Sequence, residues 1–261
     1  MRLIIINIMK NIITIAKNTF KEAIRDRILY AILAFAILFI ASTIVFGSLS
    51  LGEDIKVIKD FGLAGIYIFS IIITIFLGAS LIYKEIEKNT LLLILSKPVS
   101  KMQLIAGKYF GLLLSIILTT LLMTAVYLIV VASKGGGFES TSLLAILLNL
   151  FEISIFVSVS ILFSTLFTPL SSTIFSIIIL YIGHSLDMLM KFSFKSEGLV
   201  KYLAYPIYYL LPNLEKFNIR NLVVHGEMIS TSEFLLAILY ALIYSAILLY
   251  LAKISLEKKE L

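Results

Sequence analysis

The chain has 261 residues, 60% of them hydrophobic, and its mean hydropathy of +1.06 exceeds what a soluble domain of this length needs. The formal net charge of +6 therefore points to membrane headgroups and cytoplasmic loops rather than to a nucleic-acid partner. Cysteine is absent, which excludes a disulfide framework and thiol chemistry.

An amphipathic helix is predicted over residues 7–26, before the first long apolar run. Polar groups recur at three- and four-residue spacing from Asn7 to Arg25, and an apolar face runs from Ile8 to Ile24. A helix of this kind lies in the membrane interface with its lysines towards anionic headgroups. A frayed polar leader is the alternative.

Six apolar runs are long enough to span a bilayer: 28–46, 63–83, 104–131, 143–167, 170–190 and 234–251. All four prolines (Pro98, Pro169, Pro206, Pro212) are placed in loops or at span ends, so the spans are expected to be continuous helices. The prediction is an all-α polytopic membrane protein with six transmembrane helices in a single domain over residues 1–261.

Lysine and arginine are concentrated before the first span, between the second and third spans, and in the C-terminal tail. The other loops carry fewer, and most of those lie in the long loop 191–233, which counts little in the positive-inside rule. Both termini are therefore predicted to be cytoplasmic, and the loop 191–233 extracellular.

Residues 84–101, called the connector below, join the second and third spans with a charged segment around the apolar run Leu91–Leu95. Asn89 or Thr90 can cap a helix there, and Lys97–Pro98 ends it. The run is too short to span and needs either the membrane interface or a protein groove to cover it. The connector is thus a membrane-surface link or a coupling helix inserted into a partner.

Glu152 is an acid near the middle of the fourth span, where a charge costs about 2.5–3.5 kcal/mol. It shares one helical stripe with other small or polar residues, which should face protein or a cavity: Ser142, Ala145, Asn149, Ser160 and Ser164. His184 in the fifth span is its candidate partner. The site is either an acid on a substrate or proton path or a protonated packing residue.

In the loop 191–233, four tyrosines crowd a short apolar helix between prolines: Tyr202, Tyr205, Tyr208 and Tyr209. Tyrosine prefers the headgroup level, which favours a re-entrant or surface-lying helix followed by a polar turn at Pro212–Asn213. A compact extracellular cap is the alternative. In the third span, Gly107 and Gly111 predict close helix packing, and Lys108 is expected to extend to the cytoplasmic headgroups.

Catalysis is not expected, because the chain lacks the HExxH, GxSxG and GxxxxGK[ST] motifs. No metal site and no cofactor are predicted in this chain. Any energy from ATP must then come from another polypeptide.

Four segments in order resemble the permease subunit of ABC-2 type (exporter-class) transporters: FKEAIRDRILYAILAFAILF, EIEKNTLLLILSKPVSKMQLIAGKYFG, LPNLEKFNIRNLVVHG and the tail LEKKEL. The chain is similar to the branch that includes the permease for copper-site maturation of nitrous oxide reductase. The resemblance implies a six-span permease of the cell membrane, with an N-terminal interfacial elbow helix and a coupling helix between the second and third spans. It also implies a second permease chain (homodimer or heterodimer) and two ATPase chains that bind Mg-ATP.

The resemblance also implies roles for particular residues. The ATPase contact would include Glu85, Glu87, Thr90, Leu91, Leu93, Lys97, Pro98 and Lys101. The outer gate would include Tyr205, Pro206, Tyr209, Pro212 and Asn213. The function expected is export or translocation of a substrate, coupled to ATP hydrolysis by the separate ATPase subunit. Apolar spans with little fixed charge suit a hydrophobic or amphipathic cargo, and mechanical signalling to an extracytoplasmic partner fits too. The alternatives are a secondary transporter and a membrane scaffold that binds such a partner without ATP.

Overall fold

Helices account for nearly all of the chain that the structure describes, which comprises residues 2–50, 52–87, 99–137, 140–195, 199–227 and 229–259 of a computed structural model. In chain order they are α1 (Arg2–Ile24), α2 (Arg27–Ser48), α3 (Asp54–Ala79), α4 (Tyr83–Glu87), α5 (Lys101–Ser133), α6 (Ser140–Leu166), α7 (Pro169–Lys195), α8 (Leu199–Leu210), a 3₁₀ helix (Glu215–Phe217), α9 (Arg220–Val224) and α10 (Thr231–Glu257). No strand occurs in these ranges, which confirms the all-α prediction.

Six stretches in the described ranges are long and apolar enough to cross a membrane: α2, α3 with α4, α5, α6, α7 and α10. This confirms the six predicted spans, although the helices extend beyond the apolar runs. At the start of α5, Ser100 and Gln103 form a reciprocal capping box, and Ser230 and Glu233 form another before α10. These polar caps satisfy the first backbone donors outside the apolar region, so hydropathy alone places the helix starts too late.

The second span departs from the prediction at its far end. It was expected to be continuous to residue 83, but α3 ends at Ala79 and a turn precedes α4. The side chain of Ser164 in α6 accepts hydrogen bonds from the backbone N–H groups of Ile82 and Tyr83, at 2.9 and 3.1 Å. This contact compensates the backbone donors that the turn releases, and it joins the residues just before the connector to α6.

Pro206 lies between the fifth and sixth spans, as predicted, and there it is inside the short helix α8. Proline removes one backbone donor from a helix, and Pro206 is on an exposed side of α8. The fifth span also continues to Lys195, so the predicted loop 191–233 begins as a continuation of α7. A helix is present where the amphipathic helix was predicted, as α1, and it begins at Arg2 rather than at residue 7. Its place in the membrane interface stays a prediction.

Helices α3 and α6 form the centre of the bundle, with α2, α5, α7 and α10 packed around them and α1 packed along α5. The Nζ atom of Lys101 in α5 donates to the backbone oxygen of Leu256 in α10 at 3.0 Å, and Asn11 in α1 donates to Gln103 in α5 at 3.3 Å. Therefore α1, the described C-terminal flank of the connector and the C-terminal end of α10 lie together, at what we call the connector end. The loop between α7 and α10 lies at the opposite end.

Candidate functional site

Two buried side chains, Tyr67 and Glu152, meet the half-buried His184 within the bundle. The hydroxyl of Tyr67 in α3 donates to Oε1 of Glu152 in α6 at 2.7 Å, and Nε2 of His184 in α7 lies 3.0 Å from the same oxygen. The Tyr67 hydroxyl also contacts Nε2 of His184. Glu152 is only 2% exposed. The predicted contact between Glu152 and His184 is confirmed, whereas their functional role stays a prediction.

A fourth member of this cluster comes from the loop at the opposite end. Residues 211–224, called the outer segment, pack against α3, α6 and α7. Within it, Oε2 of Glu215 lies 3.0 Å from Nδ1 of His184, and the guanidinium of Arg220 lies 4.3 Å from the ring centre of Tyr67. We call Tyr67, Glu152, His184 and Glu215 the polar cluster. It joins three spans to the outer segment.

Contacts with α7 explain how the outer segment reaches this depth. The backbone N–H of Leu214 donates to the oxygen of Gly183 at 3.1 Å, and the side-chain amide of Asn213 donates to Asp187 at 2.6 Å. A Cβ atom at Gly183 would lie 2.8 Å from the backbone oxygen of Pro212 and from the Leu214 side chain. Glycine at this position therefore permits the close approach.

Asn149 borders the polar cluster on α6. It is 8% exposed and lines a cavity of about 10 Å³ together with Tyr67, Glu152, Asn218 and Arg220. A polar cavity of this size accommodates about one water molecule. The stripe predicted to face protein is confirmed, because its members from Ser142 to Ser164 are buried.

The residues proposed for the outer gate differ in exposure and in the element that carries them. Pro212 and Asn213 are buried against α7, whereas Pro206 and Tyr209 are exposed on α8 and Tyr205 is half-buried. Only Pro212 and Asn213 of this set belong to the segment that carries Glu215. Their role in a gate stays a prediction.

Sequence reasoning missed Tyr67, Glu215 and Arg220 as parts of this site. One signal was available, since Tyr67 lies in the interior of an apolar run although tyrosine prefers the headgroup level. A tyrosine buried there needs a hydrogen-bond partner. Glu215 and Arg220 gave no such signal, because charged residues are ordinary in a polar loop.

A second group of charges lies at the connector end. Lys108 in α5 is 3% exposed, and its Nζ atom lies 2.5 Å from Oε1 of Glu85 in α4 and 3.9 Å from Oε2 of Glu22 in α1. The expectation that Lys108 extends to headgroups was wrong, because Lys108 is buried and its ammonium is paired with carboxylates of α4 and α1. Pairing with carboxylates compensates the buried charge.

The other residues proposed for an ATPase contact are only partly described. Glu87 is exposed, and Lys101 is bound to the end of α10. Thr90, Leu91, Leu93, Lys97 and Pro98 lie outside the described residues. For all of them the ATPase contact stays a prediction.

Tyr67→Phe is expected to lower the free energy of unfolding by about 1.5–3 kcal/mol, since it removes a buried hydrogen bond to a charged group. Equilibrium unfolding in mixed detergent micelles, followed by circular dichroism, measures the change. Tyr181→Phe on α7 is the matched control, because Tyr181 is 77% exposed and its loss should stay within about 0.5 kcal/mol. Equal effects of the two variants would show that the Tyr67 hydroxyl contributes nothing specific.

Comparison with known proteins adds the family. The family model described as ABC-2 family transporter protein matches residues 13–261. A comparison with curated proteins finds no match. Since the family match covers nearly the whole chain and includes all six apolar helices of the described ranges, the chain belongs to the ABC-2 transporter family and is a multi-pass permease subunit of an ABC transporter in the cell membrane.

Proposed function

We propose that this permease exports a hydrophobic or amphipathic substrate with energy from Mg-ATP hydrolysed by two separate ABC ATPase subunits. Two permease chains would form the pathway, with the connector end in the cytoplasm and the outer segment on the outside. The observation that carries the proposal is the anchoring of the connector on both of its flanks. On one flank, Glu85 pairs with Lys108 of α5, which also lies near Glu22 of α1. On the other flank, Lys101 is bound to the end of α10.

This anchoring suggests how movement of an ATPase would reach the spans. A displacement of the connector would act on α1 and α5 through Glu85 and Lys108, and on α10 through Lys101. Because α10 packs on the central helix α6, the displacement would extend to the centre of the bundle. ATP binding would then favour one of two packed arrangements of the permease pair.

Several finer assignments belong to the same proposal. The coupling surface would comprise Glu85, Glu87, Thr90, Leu91, Leu93, Lys97, Pro98 and Lys101, with both termini on the same side. Similarity to the branch that serves nitrous oxide reductase maturation suggests a further option, in which the permease transmits force to a partner outside the cytoplasm.

Leu93→Asp in the connector is expected to abolish substrate-stimulated ATP hydrolysis, because a carboxylate would enter the apolar groove that receives the connector. The measurement is ATPase activity of the permease–ATPase complex in proteoliposomes. Leu93→Ile is the matched control and should keep stimulation near the wild-type value, since it conserves side-chain volume and polarity. Full stimulation in the Leu93→Asp complex would remove the connector from the coupling pathway.

The polar cluster favours a second candidate, a proton-coupled secondary transporter, because ionisable residues inside spans commonly mark proton relays. In that case the purified chain alone would move substrate in liposomes under a pH gradient without ATP. A scaffold would behave differently again, since an ATPase-dead partner would leave its function intact. ATP-dependent transport that fails with the ATPase-dead partner would exclude both alternatives.

A further inference from the structure

The imidazole of His184 lies between two carboxylates from different parts of the fold. Its Nε2 atom is 3.0 Å from Glu152 in the central helix α6, and its Nδ1 atom is 3.0 Å from Glu215 in the outer segment. These are hydrogen-bond distances on both sides of one ring. Each contact therefore requires one hydrogen between the ring nitrogen and the carboxylate oxygen.

Two hydrogen bonds from the imidazole to two carboxylates need one proton more than these groups carry in their ordinary states. A neutral imidazole has one N–H, and an ionised carboxylate only accepts. The Tyr67 hydroxyl cannot supply the missing hydrogen, because its single proton faces both Glu152 and His184. Both contacts are satisfied only if His184 is an imidazolium or if one of the two carboxyl groups is protonated.

We propose that the polar cluster is a proton-binding site and that the bound proton fastens the outer segment to the membrane-spanning helices. With the proton present, both ring nitrogens of His184 connect to carboxylates. When the proton leaves, one of the two contacts becomes a pair of acceptors facing each other. The contact to Glu215 is the one that can separate, because Glu152 is enclosed by α3 and α7 while Glu215 belongs to the shorter outer segment.

The charges around His184 agree with this state. Around His184 lie the other three members of the cluster, Tyr67 on α3, Glu152 on α6 and Glu215 on the 3₁₀ helix. Arg220 on α9 lies against the ring of Tyr67. Asp187 on α7 and Tyr208 on α8 are both hydrogen-bonded to Asn213, and Lys216 lies over the ring of Tyr240. An imidazolium and Arg220 balance the two carboxylates, whereas loss of the proton leaves a net negative charge in a buried site.

The absence of cysteine permits a direct test on the purified permease in nanodiscs. Val223 is 2% exposed in the outer segment, and its neighbour Leu222 is 37% exposed. Val223→Cys and Leu222→Cys would each be labelled with a maleimide between pH 6 and pH 9. Dividing the labelling rate of Val223→Cys by that of Leu222→Cys cancels the pH dependence of the thiol itself. This ratio therefore reports opening of the outer segment.

We expect this ratio to rise by about tenfold to a hundredfold from the acidic to the alkaline end, as loss of one charge-assisted hydrogen bond implies. Glu215→Gln should make the ratio low and independent of pH, since an amide can donate to the imidazole and the extra proton is no longer needed. His225→Gln is the matched control, because His225 is the second histidine, is exposed, and lies with its Nδ1 atom against the backbone oxygen of Asn221, away from the polar cluster. That variant should keep the wild-type pH dependence.

A ratio that stays constant with pH in the wild-type background would overturn the proposal. It would also be overturned if Glu215→Gln kept the full pH dependence or if His225→Gln removed it. A Glu215→Gln protein that is open at every pH would also overturn the proposal, because the contact would then depend on charge attraction and not on the extra proton. The experiment uses no ATPase, so its outcome is separate from that of the coupling experiment.

Discussion

Lys108→Met is expected to destabilise the permease by about 3–5 kcal/mol, the usual cost of removing one partner from a buried ion pair. The substitution leaves the Glu85 carboxylate in a half-buried position without the ammonium that lies 2.5 Å from it. Glu22 in α1 loses the same cation at 3.9 Å. The variant should therefore weaken the contact of both α1 and α4 with α5.

The measurement is the free energy of unfolding from mixed-micelle titrations of the single variants and of Lys108→Met combined with Glu85→Gln. Because the two side chains interact directly, the double variant should lose about 0.5–3 kcal/mol less than the sum of the single losses. Lys56→Met is the matched control, since the pair of Lys56 with Glu53 is 51% and 62% exposed. A surface pair of this kind contributes about 0–1 kcal/mol. Strict additivity would mean that Lys108 and Glu85 do not stabilise each other.

The same substitution separates a role in coupling from a role in stability. If Lys108 transmits movement of the connector, Lys108→Met should reduce substrate-stimulated ATP hydrolysis more than the basal hydrolysis of the complex. Tyr67→Phe provides the comparison, because it also destabilises the bundle but lies far from the connector. Equal losses of stimulation in the two variants would assign the effect of Lys108 to stability alone.

The spans were predictable from sequence because the bilayer imposes a long apolar run on each of them. The buried face of α6 was also predictable, since the stripe containing Asn149 and Glu152 is polar among apolar neighbours and should not face lipid. The contact between Glu152 and His184 followed from similar depth in two spans. In each case one property of the local sequence was sufficient.

The partners from outside the spans were not predictable, because they depend on how loops return to the bundle. Glu215 is one of several charges in the outer loop, and only the close approach at Gly183 brings it to His184. Lys108 was misplaced for a related reason. Its exposure was judged from its own helix, whereas in the structure it is buried and paired with carboxylates of α4 and α1.

Gly111→Leu is expected to displace α1 from α5, because the close contact at this position involves backbone as well as side-chain atoms. A Cβ atom at Gly111 would lie 2.5 Å from the backbone oxygen of Ala16 and 2.6 Å from Cβ of Thr19. Rotation of a side chain cannot relieve contacts with a backbone oxygen and a Cβ atom. Overpacking of a well-packed contact costs about 1–3 kcal/mol, and a whole leucine side chain should reach the upper part of this range.

Gly137→Leu supplies the matched control, since a Cβ atom at Gly137 would meet nothing within 4 Å. Disulfide cross-linking of Asn11→Cys with Gln103→Cys, whose side chains are hydrogen-bonded at 3.3 Å, would report whether α1 remains on α5. We expect cross-linking to be lost with Gly111→Leu and retained with Gly137→Leu. If α1 also carries connector movement to the spans, Gly111→Leu should lower substrate-stimulated ATP hydrolysis as well as cross-linking. The reason is that Glu22 would move away from Lys108 together with the rest of α1. Intact cross-linking in Gly111→Leu would show that the two helices can separate enough to admit a side chain without losing register.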